Sequence, residues 1–321
     1  MMRRLLFLLP FCGVLWCQPA EPPRKIQVLL ITGRDDHDWR GATSQMRRYL
    51  DAAGIFEVRT TEEFRDAGPD SLSRYEVAVL VYADKAPEDR WSEGSRNALL
   101  NFVHSGHGLV VYHHSSTAFK DWPEFARMCG GNYYARAQHS PIHDFTVDIV
   151  DREHPITRGL KKSFAQPQDE LYANMQMQPA GSYHILATAW DDHALYNGKS
   201  KAPLIGAGTN EPLLWTVDAG KGRVFATMIG HSAAATQSLG WITTFTRGVE
   251  WAATGRVTQP VPDAMAEGRA SRCFGGGCAS RSFFGARSQL PIGPHSVAIR
   301  SAQVGRVRRR SSIRTMSARS S

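Results

Sequence analysis

Residues 108–119 read GLVVYHHSSTAF, and this stretch decides the fold. Leu109-Val110-Val111-Tyr112 is a short, unbroken apolar run, as in a strand covered on both faces. Two histidines and two serines follow at once, and then a helical segment carrying Trp122, Phe125 and Met128. A strand-to-helix corner of this kind is where many α/β enzymes mount a nucleophile. Here the corner holds imidazoles.

The same grammar extends in both directions. Residues 25–32 (KIQVLLIT) predict a first buried strand, a polar loop spans 33–41, and an amphipathic helix covers about 42–53 before Gly54. Strands are predicted over 56–60 and 75–82, and a helix over 92–103. This strand–helix alternation implies a three-layer α/β sandwich around a mostly parallel open sheet. The second half is richer in strands, at 145–150, 184–189, 212–217 and 223–229, the last two joined by a hairpin-like turn. A final helix over about 237–253 is capped by Gly255.

The 321 residues are 42% hydrophobic, enough for one large α/β domain. Met1-Met2-Arg3-Arg4, an apolar run over 5–16 and a proline-rich break have the layout of a secretory signal peptide, with linker to residue 24. An amino-terminal anchor is the alternative; either way the domain works outside the cytoplasm, periplasmic or extracellular, with no membrane span in the mature protein. Trp16 sits where lipoprotein processing at Cys17 calls for a small residue.

The formal charge of +8 resides in residues 256–321, which carry twelve arginines, no lysine and two acids. The remainder is slightly acidic and has no basic stripe, so nucleic acid is not an expected partner. With no hydrophobic period, this tail is predicted to be disordered, an incidental extension (a shifted reading frame included) in preference to a basic arm. Cys129 alone lies in the domain, which excludes an internal disulfide; its helical spacing suits a small buried hydrophobe.

In open α/β sheets ligands bind beyond the carboxyl ends of the strands. That rule brings His37, after the first strand, to the same rim as His113 and His114, after the fourth, and His231, after the last. Glu170 and His139 join this group, with Asp36, His37, Trp39 and His139 as candidate sugar contacts; Trp39 reads equally well as a core residue, and Asp35, Asp36 and Asp38 as a solvated loop or as groups that orient His37. His104, His154 and His193 gain no such support. The null case for each histidine, a hydrogen-bonded structural residue, weakens when three share a rim.

TGRDDHDW, GLVVYHHSSTAF followed by WPEF, HSPIHDFTVDIVDREHPITRGL, QDELY, GKGRVFATMIGH and RGVEWAATG occur in that order. In this set the chain resembles the ThuA-like (trehalose utilisation) family of the class I glutamine amidotransferase-like superfamily, over residues 25–255. The resemblance implies a flavodoxin-like sheet. In amidotransferases of the superfamily the corner carries a cysteine nucleophile; here it has none nearby, so thiolate chemistry is excluded. His113 aligns with the single histidine such proteins carry, whereas His114 replaces a small residue.

Two chemistries remain: imidazole acid–base work by His113 and His231 with Glu170, or a divalent metal such as zinc on His37, His113 and His231. The family's association with sugar catabolism implies a secreted enzyme that processes an oxidised (3-keto) disaccharide or glycoside as hydrolase or lyase. The alternatives are a non-catalytic carbohydrate-binding domain and a metal-dependent hydrolase of another substrate. The sequence does not set the oligomeric state.

Overall fold

The computed structural model describes residues 24–134, 136–196 and 208–268. The expected signal segment and the tail beyond residue 268 lie outside the described residues. Five parallel strands form one half of a nine-stranded sheet: β1 (Ile26–Ile31), β2 (Phe56–Thr61), β3 (Val77–Leu80), β4 (Gly108–Tyr112) and a late arrival, β9 (Gly222–Thr227). The other half is antiparallel: β5 (His143–Ile149), β6 (Ser163–Asp169), β7 (His184–Trp190) and β8 (Asn210–Ala219).

The order across the sheet is β2-β1-β3-β4-β9-β8-β7-β5-β6. Its first five positions follow the flavodoxin-like order 2-1-3-4-5, in which the ligand crevice opens at the switch between β1 and β3. The sheet is therefore mixed, with its parallel part where the apolar runs placed it. All residues of β3 and β4 are buried, as continuous apolar strands between helix layers must be.

Helices α1 (Trp39–Ala52) and α4 (Leu239–Thr254) cover one face; α2 (Glu93–His104) and α3 (Pro123–Cys129) cover the other. Side-chain direction fixes this. Arg223 donates to the α4 carbonyls of Trp251 and Ala252, whereas a Cβ on the adjacent Gly222 would point at the Val103 carbonyl of α2. Trp215, on the α2 side, donates its indole N–H to Cys129 at the end of α3.

Among the described residues no helix is long and apolar enough to cross a membrane. One boundary differs from the sequence reading. Residues 256–268, placed in the tail, are packed: Met265 is buried, Val257 and Val261 lie against the core, and Ala266 bridges to Leu160. Buried Arg247 and Glu250 of α4 hold this strap by bonds to Gln259 and Thr258. The three apolar residues are too widely spaced to register as a period.

Candidate functional site: an imidazole cluster at the sheet's carboxyl edge

β4 ends in a 3₁₀ turn, His113–Thr117, that begins with His113 at φ 38°. This left-handed conformation is costly for a residue with a Cβ and is held here by its surroundings. The ring is fully buried, stacks on Tyr172 at 4.2 Å, and its Nδ1 lies 2.7 Å from the Met228 carbonyl oxygen. A carbonyl only accepts, so Nδ1 carries the proton and Nε2 presents a bare lone pair. That Nε2 is buried and has no hydrogen-bond partner. Burial first, and then the neighbouring imidazoles, hold His113 well below the usual histidine range, against the pull of the Met228 carbonyl.

The loop after β9 positions His231. The carbonyl of Gly230 accepts the Tyr112 hydroxyl, and that of Ile229 accepts the Trp241 indole at 3.0 Å. The backbone N–H groups of Gly230 and His231 donate to Asp169 at 2.6 and 2.8 Å. Asp169 also accepts from Glu170 N and the Gln166 amide, both at 2.9 Å, and so fixes the two functional candidates next to it and across from it. Burial raises its carboxyl despite these donors. Asp169 was present in the QDELY signal, but its role depends on a loop 61 residues away, which no local pattern reveals.

His37 comes from the loop after β1. Its rings-to-ring distances are 5.4 Å to His113 and 4.5 Å to His231, and His113 and His231 stand 5.6 Å apart. His231 Nδ1 lies 3.0 Å, and His113 Nε2 3.9 Å, from Glu170 Oε2. Taking one ligand atom from each, His37, His113, Glu170 and His231 converge within 4.8 Å of one another. The Nε2 of His37 and the Nδ1 of His231 are, like His113 Nε2, buried without a hydrogen-bond partner; the His231–Glu170 approach is close but misaligned. Burial pushes the Glu170 carboxyl up, but His231, His139 and His37 outweigh it and hold it below the ordinary range.

The remaining candidates stand around this group. His139, half exposed, reaches Glu170 Oε1 at 3.3 Å. Asp36 lies outside it, 3.2 Å from His37 Nδ1. His114 lies with its ring 4.0 Å from that of His37 and bonds to Asp35 at 2.6 Å, so the partner of His114, which the sequence left open, is Asp35. Trp39 is not brought to the imidazoles. It is 8% exposed, belongs to the core, carries the Arg40 guanidinium 4.0 Å over its ring, and only borders a 260 Å³ cleft with Asp35, Asp36 and Lys85. Cys129 is buried, and burial pushes its thiol up to about 12, so it is no nucleophile.

Three unpartnered imidazole nitrogens and a carboxylate around one small space can bind a divalent cation or move a proton. Metal–nitrogen bonds of about 2.0–2.1 Å place tetrahedral donors about 3.3 Å apart, so the cluster fits an ion after a modest contraction.

The family model for ThuA, described as trehalose utilisation, matches residues 27–252. A ThuA-like protein of Parabacteroides merdae of known structure is 31% identical, with a TM-score of 0.65 over 76% of this chain and 95% of its own. A second, from Bacteroides uniformis, is 20% identical, with a TM-score of 0.58 over 73% and 93%, and supports the fold. No curated protein matches. Over the whole span that builds the sheet and its four-residue cluster, this chain belongs to the ThuA (trehalose utilisation) family.

Proposed function

We propose that this protein is a sugar-processing enzyme that acts on an oxidised (3-keto) disaccharide or glycoside, with a divalent transition metal such as zinc held by His37, His113 and His231. The observation that carries the reading is the convergence of three buried imidazole nitrogens, those of His37, His113 and His231, on one space beside the Glu170 carboxylate. Buried polar atoms are normally satisfied, and lone pairs of His37 Nε2 and His113 Nε2 without a protein partner, next to an ionised carboxylate, favour a cation as their ligand.

The family's link to trehalose utilisation supports a sugar substrate. A 3-keto group acidifies the proton on C2. Removing that proton leaves an electron pair that forms the C1–C2 double bond as the bond from C1 to the aglycone oxygen breaks, and that oxygen takes up a proton. A bound ion supplies polarisation of the keto oxygen. Glu170, ionised and beside the cluster, is the base for the C2 proton; His139 at its outer oxygen is placed to return a proton to the departing group. The layout of residues 1–24 supports export, which fractionation of expressing cells would test.

The deciding experiment measures metal content of wild type and His113→Ala by mass spectrometry, and turnover of a 3-keto-glycoside with and without chelator. About one ion per chain in wild type, lost in the variant, with turnover silenced by chelator, is the expected result. Metal-free protein whose turnover ignores chelator leaves imidazole acid–base catalysis in its place; sugar binding with no turnover under any condition leaves a binding domain.

A further inference from the structure

Beside the cluster lies a second group, Asp35, Asp36, His37 and His114, whose donor atoms also fall within 4.8 Å of one another. It has the composition of a second cation site, and His37 belongs to both. Proton bookkeeping decides against that. Lys85 Nζ lies 2.9 Å from His114 Nε2. An ammonium only donates, so His114 Nε2 accepts and its proton resides on Nδ1. That Nδ1–H donates to Asp35 Oδ1 at 2.6 Å and stands 3.0 Å from Asp36 Oδ1. His37 Nδ1 in turn faces the same two oxygens, at 3.3 Å from Asp35 and 3.2 Å from Asp36, and must carry a proton there. Lys85 closes the circuit at 3.4 Å from Asp36 Oδ2. The space between the donors is already filled by protons and by one fixed positive charge.

We propose that Asp35, His114 and Lys85 are positioning residues that lock the proton of His37 onto Nδ1 and so turn its bare Nε2 toward His113 and His231. The centre consequently takes one cation rather than two. Asp35 is the hub: its Oδ1 also accepts the His37 backbone N–H at 3.0 Å, so it fixes both the backbone and the ring of that residue. His114 thereby acquires a role without entering the cluster. Carboxylates and other groups one layer behind a ligating histidine act in this way, and losing one typically weakens metal binding about 10–100-fold.

The inference rests on the proposed metal reading for its affinity readout, but the tautomer of His37 can be read without any metal. The test uses the full chain as wild type, His114→Ala and His114→Asn; the asparagine amide nitrogen stands close to where Nδ1 was and keeps a donor for Asp35. Long-range nitrogen–proton NMR of the metal-free protein, at a pH where His37 is neutral, is expected to show the Nδ1-protonated form in wild type and His114→Asn and a mixture in His114→Ala. Zinc competition against a chromophoric chelator is expected to give one site per chain in wild type, about 10–100-fold weaker in His114→Ala and within a few-fold of wild type in His114→Asn. Two ions in wild type, or a His37 tautomer indifferent to His114→Ala, would overturn the proposal. Wild type that binds no zinc yet shows the expected tautomer shift would overturn the metal reading and leave the positioning network standing.

Discussion

Asp169 carries more of the site than any residue that touches the central space. Replacing it with alanine strands three backbone N–H groups, at Glu170, Gly230 and His231, in a buried corner. At about 1–3 kcal/mol for each unsatisfied donor, Asp169→Ala is expected to lose at least about 3 kcal/mol in urea unfolding, and turnover with it. A residue outside the site contributes to the pH response of stability. His154 accepts the Ile156 N–H on its Nδ1 at 3.2 Å, and burial lowers it to about 4 from 6.5, against the pull of Asp151. The unfolded chain therefore binds this proton more readily, so the stability His154 contributes is complete above pH 6.5 and is lost as pH falls toward 4. Thermal melts across that window should show a falling Tm in wild type and a flatter profile in His154→Gln; equal slopes would remove His154 from the account.

At the scale of elements, the contact between β4 and α4 decides where the corner sits. A Cβ on Gly108 would stand 2.5 Å from the backbone carbonyl of Ala252 in α4, so only glycine lets the helix lie this close. Gly108→Ala is expected to cost about 1–3 kcal/mol, the range for overpacking, and to show as a lowered denaturation midpoint with m unchanged. The strands of the parallel half were legible because burial on both faces demands unbroken apolar runs, as in β3 and β4. β6 was not: SFAQPQD buries only Phe164, Gln166 and Asp169 and carries a proline and two glutamines, so it resembles a loop. The cluster was legible as far as the strand-end rule reaches, which delivered His37, His113 and His231. That Asp35 could orient His37, two residues on, was legible, but its bond to His114 and the hub role of Asp169 were not, because those donors come from distant loops. Trp39 read equally well as a sugar platform or a core residue because sequence shows an aromatic ring but neither its burial nor the Arg40 side chain lying on it.

Across the whole molecule, the four cluster residues come from loops that follow β1, β4, β6 and β9 and so tie both halves of the sheet together. An ion that binds only this assembled arrangement stabilises it by mass action, by about 2.7 kcal/mol at a concentration one hundred times its dissociation constant. Zinc is therefore expected to raise the Tm of wild type by several degrees and leave His113→Ala unmoved; an equal rise in both would place the ion elsewhere. The insertion of β9 between β4 and β8 has a temporal side. β4 pairs early with β3 but must wait more than a hundred residues of synthesis for its second parallel neighbour, since Gly108 pairs with Arg223, and contacts that close such long loops form slowly. A nascent chain stalled between Glu170 and His231 has three of the four groups and lacks the loop that carries the fourth. The cluster is therefore completed only once β9 has docked, long after the strands β1 and β4 that carry its first two groups have been made.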